Sequence, residues 1–117
     1  MSVKKLKDLP REQINGAKLT YKQVLIGPQE GPNYAMRRFI IEVGGSMPKH
    51  TNSVEHEQLV LRGNARIGIG DQIFEVEKDD VVFIPADTPH WYENIGDEPF
   101  EFLCVVPNKE DVISFVE

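Results

Sequence analysis

Three histidines and an asparagine, His50, Asn52, His56 and His90, are the residues of this chain whose types and spacing could do chemistry. No other histidine is present. A neutral imidazole offers a lone pair to a borderline cation, and three together suit Mn, Fe, Zn, Ni or Cu. Three protein ligands leave coordination positions open, as catalytic rather than structural sites do. His50 and His56 lie in "PKHTNSVEHEQLVLRG", among runs that read as strand. On one continuous strand they would stand roughly 20 Å apart, too far to share an ion. A bend is therefore required, and "TNSV" is turn-prone enough to supply it.

Alternation assigns the faces. His50, Asn52, His56, Gln58 and Val60 share one parity, and Glu55, Glu57, Leu59 and Leu61 share the other. Around them, short apolar or alternating runs are each followed by turn residues, with little helical periodicity. "KLTYKQVLIG", "YAMRRFIIEVGG", "VVFIP", "HWYEN" and "FEFLCVVP" read as strands. "EQLVLRGNARIGIGDQIFEVEKDD" carries two hairpin signals, Gly63-Asn64 and Gly70-Asp71. The tail "KEDVISFVE" reads as a last helical turn or an edge strand. About eight to ten such strands predict an all-β, closed antiparallel barrel, since closure removes exposed edges.

The 117 residues fit one domain, with 40% hydrophobic and 27% charged residues, so neither disorder nor a membrane class is favoured. A net charge of -6 and the lack of a basic face speak against nucleic acid. No apolar run reaches the roughly 18 residues needed to span a bilayer. The cationic start "MSVKKLKDLP" lacks the apolar core of a signal peptide. A single cysteine, Cys104, cannot form an internal disulfide, which makes a reducing cytoplasm the expected location.

Two stretches then resemble a known family. Residues 44–63 and 79–94 look like the two signature motifs of the cupins, small jelly-roll barrels with a metal in the mouth. In the first, Gly44 or Gly45 opens the motif, His50 takes the first histidine slot and Gly63 closes it. In the second, Asp79 stands in a glycine slot, then come Pro85-Ala86-Asp87, His90 and Asn94. Asn52 occupies the second histidine slot and His56 the usual glutamate slot. That substitution is similar to a subgroup of one-domain cupins with four-histidine, manganese-type sites. Asp79 and Asp87 replace glycines, and aspartate visits the left-handed region more easily than most residues.

The resemblance implies a single jelly-roll barrel over residues 1–117, holding one divalent transition-metal ion on His50, His56 and His90. Asn52 is either a weak oxygen ligand or a residue that leaves room for water. By alternation Gln58 and Tyr92 share the histidine face, and the resemblance places Phe102 and Cys104 in the cavity. Arg37 and Arg38 lie on opposite faces of one strand, so one of them enters the barrel; an anionic substrate would then be favoured. The implied activity is a dioxygenase-type oxidoreductase acting on a small molecule, with a metal-dependent isomerase as an alternative. A non-catalytic small-ligand binder or sensor is the other, although the chain shows neither a helical extension nor basic character. Pairing of two copies through an outer sheet face would explain the poorly alternating runs "FIIEV" and "QVLI".

Overall fold

The computed structural model describes residues 1–116, so Glu117 at the end of the expected domain lies outside the described residues. A single 3-10 turn, Leu6–Asp8, precedes ten strands. They are β1 (Glu12–Gln13), β2 (Lys18–Ile26), β3 (Tyr34–Asn52), β4 (His56–Arg62) and β5 (Asn64–Ile69). Then follow β6 (Gln72–Glu77), β7 (Val81–Ile84), β8 (His90–Asn94), β9 (Phe100–Pro107) and β10 (Ile113–Phe115). Every pairing is antiparallel. Among the described residues no helix is long and apolar enough to cross a membrane.

The long strand β3 organises the molecule. Its first half pairs with β2 and β9, placing Ile40 opposite Tyr21 and Glu101. Its second half pairs with β8 and β10, placing His50 opposite His90 and Phe115. Between the halves the register slips, because Thr20 faces Ile41 while Lys18 faces Ser46. Gly44, at φ +81°, sits in that bulge. One strand thus serves two walls, β1-β2-β3-β9-β4-β7 and β10-β3-β8-β5-β6, which curl together as the expected jelly roll. The hydrogen-bonded path ends at β6 and β7, so among the described residues no ladder joins these two edges.

The inward face of β9 is Phe100, Phe102, Cys104 and Val106, a choice that alternation alone had left open. Phe102 is central: its ring lies 5.1 Å from Phe39, 5.2 Å from Tyr92 and 5.6 Å from Phe100. Aromatic contacts of this kind add about 0.5–1.5 kcal/mol each beyond area burial. On the other face of β3, Arg38 is ion-paired with Glu101 and donates to Gln23. Gln23 in turn donates to Leu6 O and Leu9 O, which draws the N-terminal segment across that outer face.

Some sequence expectations are corrected here. Gly70-Asp71 does make the β5–β6 hairpin, with Ile69 opposite Gln72. Gly63-Asn64 does not: β4 pairs with β7 and β9, whereas β5 pairs with β6 and β8. The chain instead turns a corner from one wall to the other, at a glycine with φ +85°. The tail forms an edge strand, β10, rather than a helical turn. "FIIEV" alternates poorly because both of its faces are covered, with Ile40 as buried on the outside as Ile41 is inside. Asp79 and Asp87 take φ +75° and +62°, the left-handed conformations expected at these slots.

The corner yields a stability prediction. A Cβ at Gly63 would stand 2.5 Å from Pro99 O in addition to the strained φ. Gly63→Ala should therefore cost about 3 kcal/mol or more. At Gly70 the nearest atom is 3.8 Å away, so Gly70→Ala should cost only about 1–2 kcal/mol from backbone strain. Urea denaturation of the two variants compares them directly, and equal losses would contradict the corner.

Candidate metal centre

The bend at 53–55 separates β3 from β4 and turns His56 back toward His50. His90 enters from β8, paired directly with His50. The ring centroids of His50 and His90 are 4.2 Å apart, and those of His56 and His90 5.7 Å. All three rings line one cavity of about 350 Å³. His56 and His90 are buried, while Glu57 on the alternate face is exposed.

Each ring is held from behind. His50 Nδ1 lies 2.8 Å from Pro48 O, and His90 Nδ1 lies 2.9 Å from Thr88 O. The same local device, a carbonyl two residues upstream, orients both rings. A carbonyl can only accept, so each Nδ1 carries the proton and each Nε2 keeps its lone pair. His56 Nδ1 lies 3.2 Å from Cys104 Sγ. Asn52 Nδ2 donates to Asp111 Oδ2 at 2.9 Å, which leaves the amide oxygen facing inward. Asp111 is itself fixed, since its Oδ1 accepts from Ser53 N at 2.9 Å.

The result is a cluster of lone pairs without partners. His56 Nε2, His90 Nε2 and Asn52 Oδ1 are buried and make no hydrogen bond. Such orphans cost about 1–3 kcal/mol each unless something satisfies them, and a divalent cation is a group that accepts all three at once. The donor chemistry fits that cation: two nitrogens and one amide oxygen, with the His50 ring alongside. Among the described residues no three His, Cys, Asp or Glu side chains are placed to hold a metal ion by themselves. What is present is the gathered ring set, with its lone pairs unspent.

Burial keeps the His56 and His90 rings neutral. Burial, helped by the Arg37 guanidinium and the His90 ring, holds the His56 imidazole down to about 3. Burial likewise holds His90 down to about 4, despite the opposing bond to Thr88 O. The Tyr92 hydroxyl is pushed up by burial and by neighbouring Cys104, and it accepts a 2.7 Å bond from Gln58 Nε2. It is therefore no base near neutral pH.

Arg37, Gln58, Tyr92 and Phe102 all line the cavity. Cys104 does not: it is fully buried behind the wall, touching His56, Arg37 and Gln58. Its inward parity is as expected, but the larger side chains in front cover it. Asp111 was missed from the sequence. It lies 59 residues from Asn52, in a tail with no motif, and nothing local marks it as a partner. Asn94 serves a turn, donating to Ile41 O and Glu98 O and accepting from Gly96 N.

Comparison with known proteins now adds to this geometry. The family model described as "Cupin domain" matches residues 37–106. An uncharacterised protein of Methanocaldococcus jannaschii is 33% identical over 76 residues, covering 64% of this chain and 61% of that protein. Acireductone dioxygenase 1 of Pectobacterium atrosepticum is 33% identical over 78 residues, covering 63% of this chain and 43% of the enzyme. The chain thus spans less than two thirds of the length of these curated relatives. The structure of the polyketide cyclase RemF from Streptomyces resistomycificus superposes with a TM-score of 0.92 at 28% identity, covering 100% of this chain and 86% of that one.

Two outcomes test the centre. His56→Ala should cut bound divalent metal sharply, and Asp111→Ala should weaken metal affinity roughly 10- to 100-fold by freeing the Asn52 amide; elemental analysis and competition with a chelator measure both. The second outcome concerns the metal-free protein. A histidine whose folded pKa lies below its unfolded 6.5 resists protonation. The unfolded chain then takes up more protons below pH 6.5, so stability is intact above that pH and falls as pH drops toward 4. Each of the two buried rings contributes a slope of up to about 1.4 kcal/mol per pH unit. A urea midpoint that stays level from about pH 7 to about pH 5 would contradict buried neutral imidazoles.

Proposed function

The chain belongs to the cupin-domain family, and on that premise we propose that it is a metal-dependent enzyme of dioxygenase type acting on a small molecule. His50, His56 and His90 would hold one divalent transition-metal ion, with Asn52 Oδ1 as a fourth, weaker donor. The observation that carries the reading is the set of buried, unpartnered Nε2 and Oδ1 atoms facing one cavity. Bound to neutral donors, such an ion keeps its charge and supplies Lewis acidity and open positions for oxygen-containing ligands.

The chain's own residues do the rest. Phe39, Met47 and Phe102 give the cavity an apolar wall, which excludes water and receives a flat substrate body. Gln58 and Tyr92 hold one another and present a fixed polar edge. Asp111 is the sole carboxylate among the lining residues, and its two oxygens are occupied by Asn52 and Ser53. With the three imidazoles engaged by the ion, no free side-chain base would face the cavity, and a substrate that ionises readily, such as an enolisable carbonyl compound, suits it best.

Likeness to acireductone dioxygenase supports the oxidative reading. A second reading, ring closure without oxygen, is favoured by the likeness to the polyketide cyclase along the entire chain. In either case two copies would pair through the outer face of the β4–β7 wall, where Leu59 lies opposite Val81 and both are exposed beside Phe83. A reducing compartment suits the one buried thiol.

Oxygen uptake separates the readings. Protein loaded in turn with Fe(II), Mn(II) and Ni(II) should consume oxygen with enolisable diketones, and His90→Ala should abolish the uptake. Metal-dependent loss of substrate without oxygen uptake would move the assignment to the second reading; equal turnover by metal-free protein would end both.

A further inference from the structure

Arg37 and Arg38 are consecutive on β3, yet their surroundings differ. Arg38, facing outward, has Glu101 and Gln23. Arg37, facing the cavity, takes part in no ion pair among the described residues. Its Cζ stands 5.0 Å over the Phe39 ring, its Nη2 lies 3.5 Å from Cys104 Sγ, and its Nε is buried without a partner. The thiol supplies no counter-charge, because burial raises its pKa. Asp111, the one carboxylate lining the cavity, is spent on Asn52 and Ser53. Lys22 adds a second cation near the mouth, 4.0 Å from Glu12.

A part-buried guanidinium without an anion is costly to the folded chain. A carboxylate arriving from solution would offset that cost and match the guanidinium fork with two parallel hydrogen bonds. The Phe39 ring fixes the plane of that fork, and the same wall continues into Met47 and Phe102. Arg37 and the histidine cluster are close neighbours, since one sulfur touches both Arg37 Nη2 and His56 Nδ1.

We propose that the cavity selects a small organic carboxylate with a flat apolar body, its carboxylate received by Arg37 and its body laid against Phe39, Met47 and Phe102. This assignment deepens the proposed function and rests on the same cavity being the active site. In that arrangement Arg37 decides which substrates enter, and the carboxylate is held beside the histidine cluster.

Benzoate and benzamide, equal in shape and different in charge, test it. Calorimetric titration of the metal-loaded and the metal-free protein should show benzoate binding at least roughly tenfold tighter than benzamide in both forms. Arg37→Met should erase that preference while metal content by elemental analysis stays unchanged, and Arg38→Met should leave the preference intact. Arg37→Lys should retain part of it, since the charge remains but the fork is lost. Equal binding of the two probes, binding of neither, or a preference that survives Arg37→Met would overturn the proposal. Loss of metal binding with the benzoate preference retained would instead sink the metal chemistry and leave the carboxylate site standing.

Discussion

Lone pairs held in an apolar interior without partners are the constraint around which this protein is built. His56 Nε2, His90 Nε2 and Asn52 Oδ1 carry a free-energy cost in the folded chain that water or hydrogen bonds would normally remove. The barrel tolerates them because each group is anchored on its far side, by a carbonyl, a thiol or a carboxylate. These anchors also determine which atom faces inward. A ring bonded through Nδ1 to a backbone carbonyl can present only Nε2, and an amide bonded through Nδ2 can present only its oxygen. The chemistry of the cavity thus depends on hydrogen bonds made outside it.

The distribution of charge follows the same logic. The chain is acidic overall, yet the one carboxylate lining the cavity is engaged, and the one guanidinium lining it has no ion-pair partner among the described residues. The cavity is therefore biased towards positive potential inside a negatively charged molecule. That bias helps keep the His56 ring neutral, and it is the basis of the proposed preference for a carboxylate ligand. The tail contributes directly, because Asp111 orients Asn52 and Phe115 stands against the His50 ring at 6.4 Å. A segment without regular pattern in the sequence is part of the site wall.

Much of this was legible in the residues. Period-two alternation marked the strands, and the turn chemistry of Gly70-Asp71 marked a hairpin, because both depend on neighbours only a few residues apart. The parity of His50, Asn52, His56 and Gln58 marked one face, and the need for a bend at "TNSV" followed from strand rise alone. Gly63-Asn64 misled for the opposite reason. A glycine with φ > 0 serves a tight hairpin or a corner between walls, and only the partners of β4 and β5 distinguish the two.

What the amino-acid order determined by itself was local and periodic: strands, the faces of each strand, and a shortage of histidines that all fell on one side. Tertiary structure decided what periodicity cannot carry. It selected the inward face of β9, sent Arg37 rather than Arg38 into the cavity, placed Cys104 behind His56, and brought Asp111 across 59 residues to Asn52. The physical reason is that alternation defines two faces but not which one meets the core. That choice is made by the sum of packing contacts across the two walls, where Phe102 and its ring neighbours outweigh any single residue's preference.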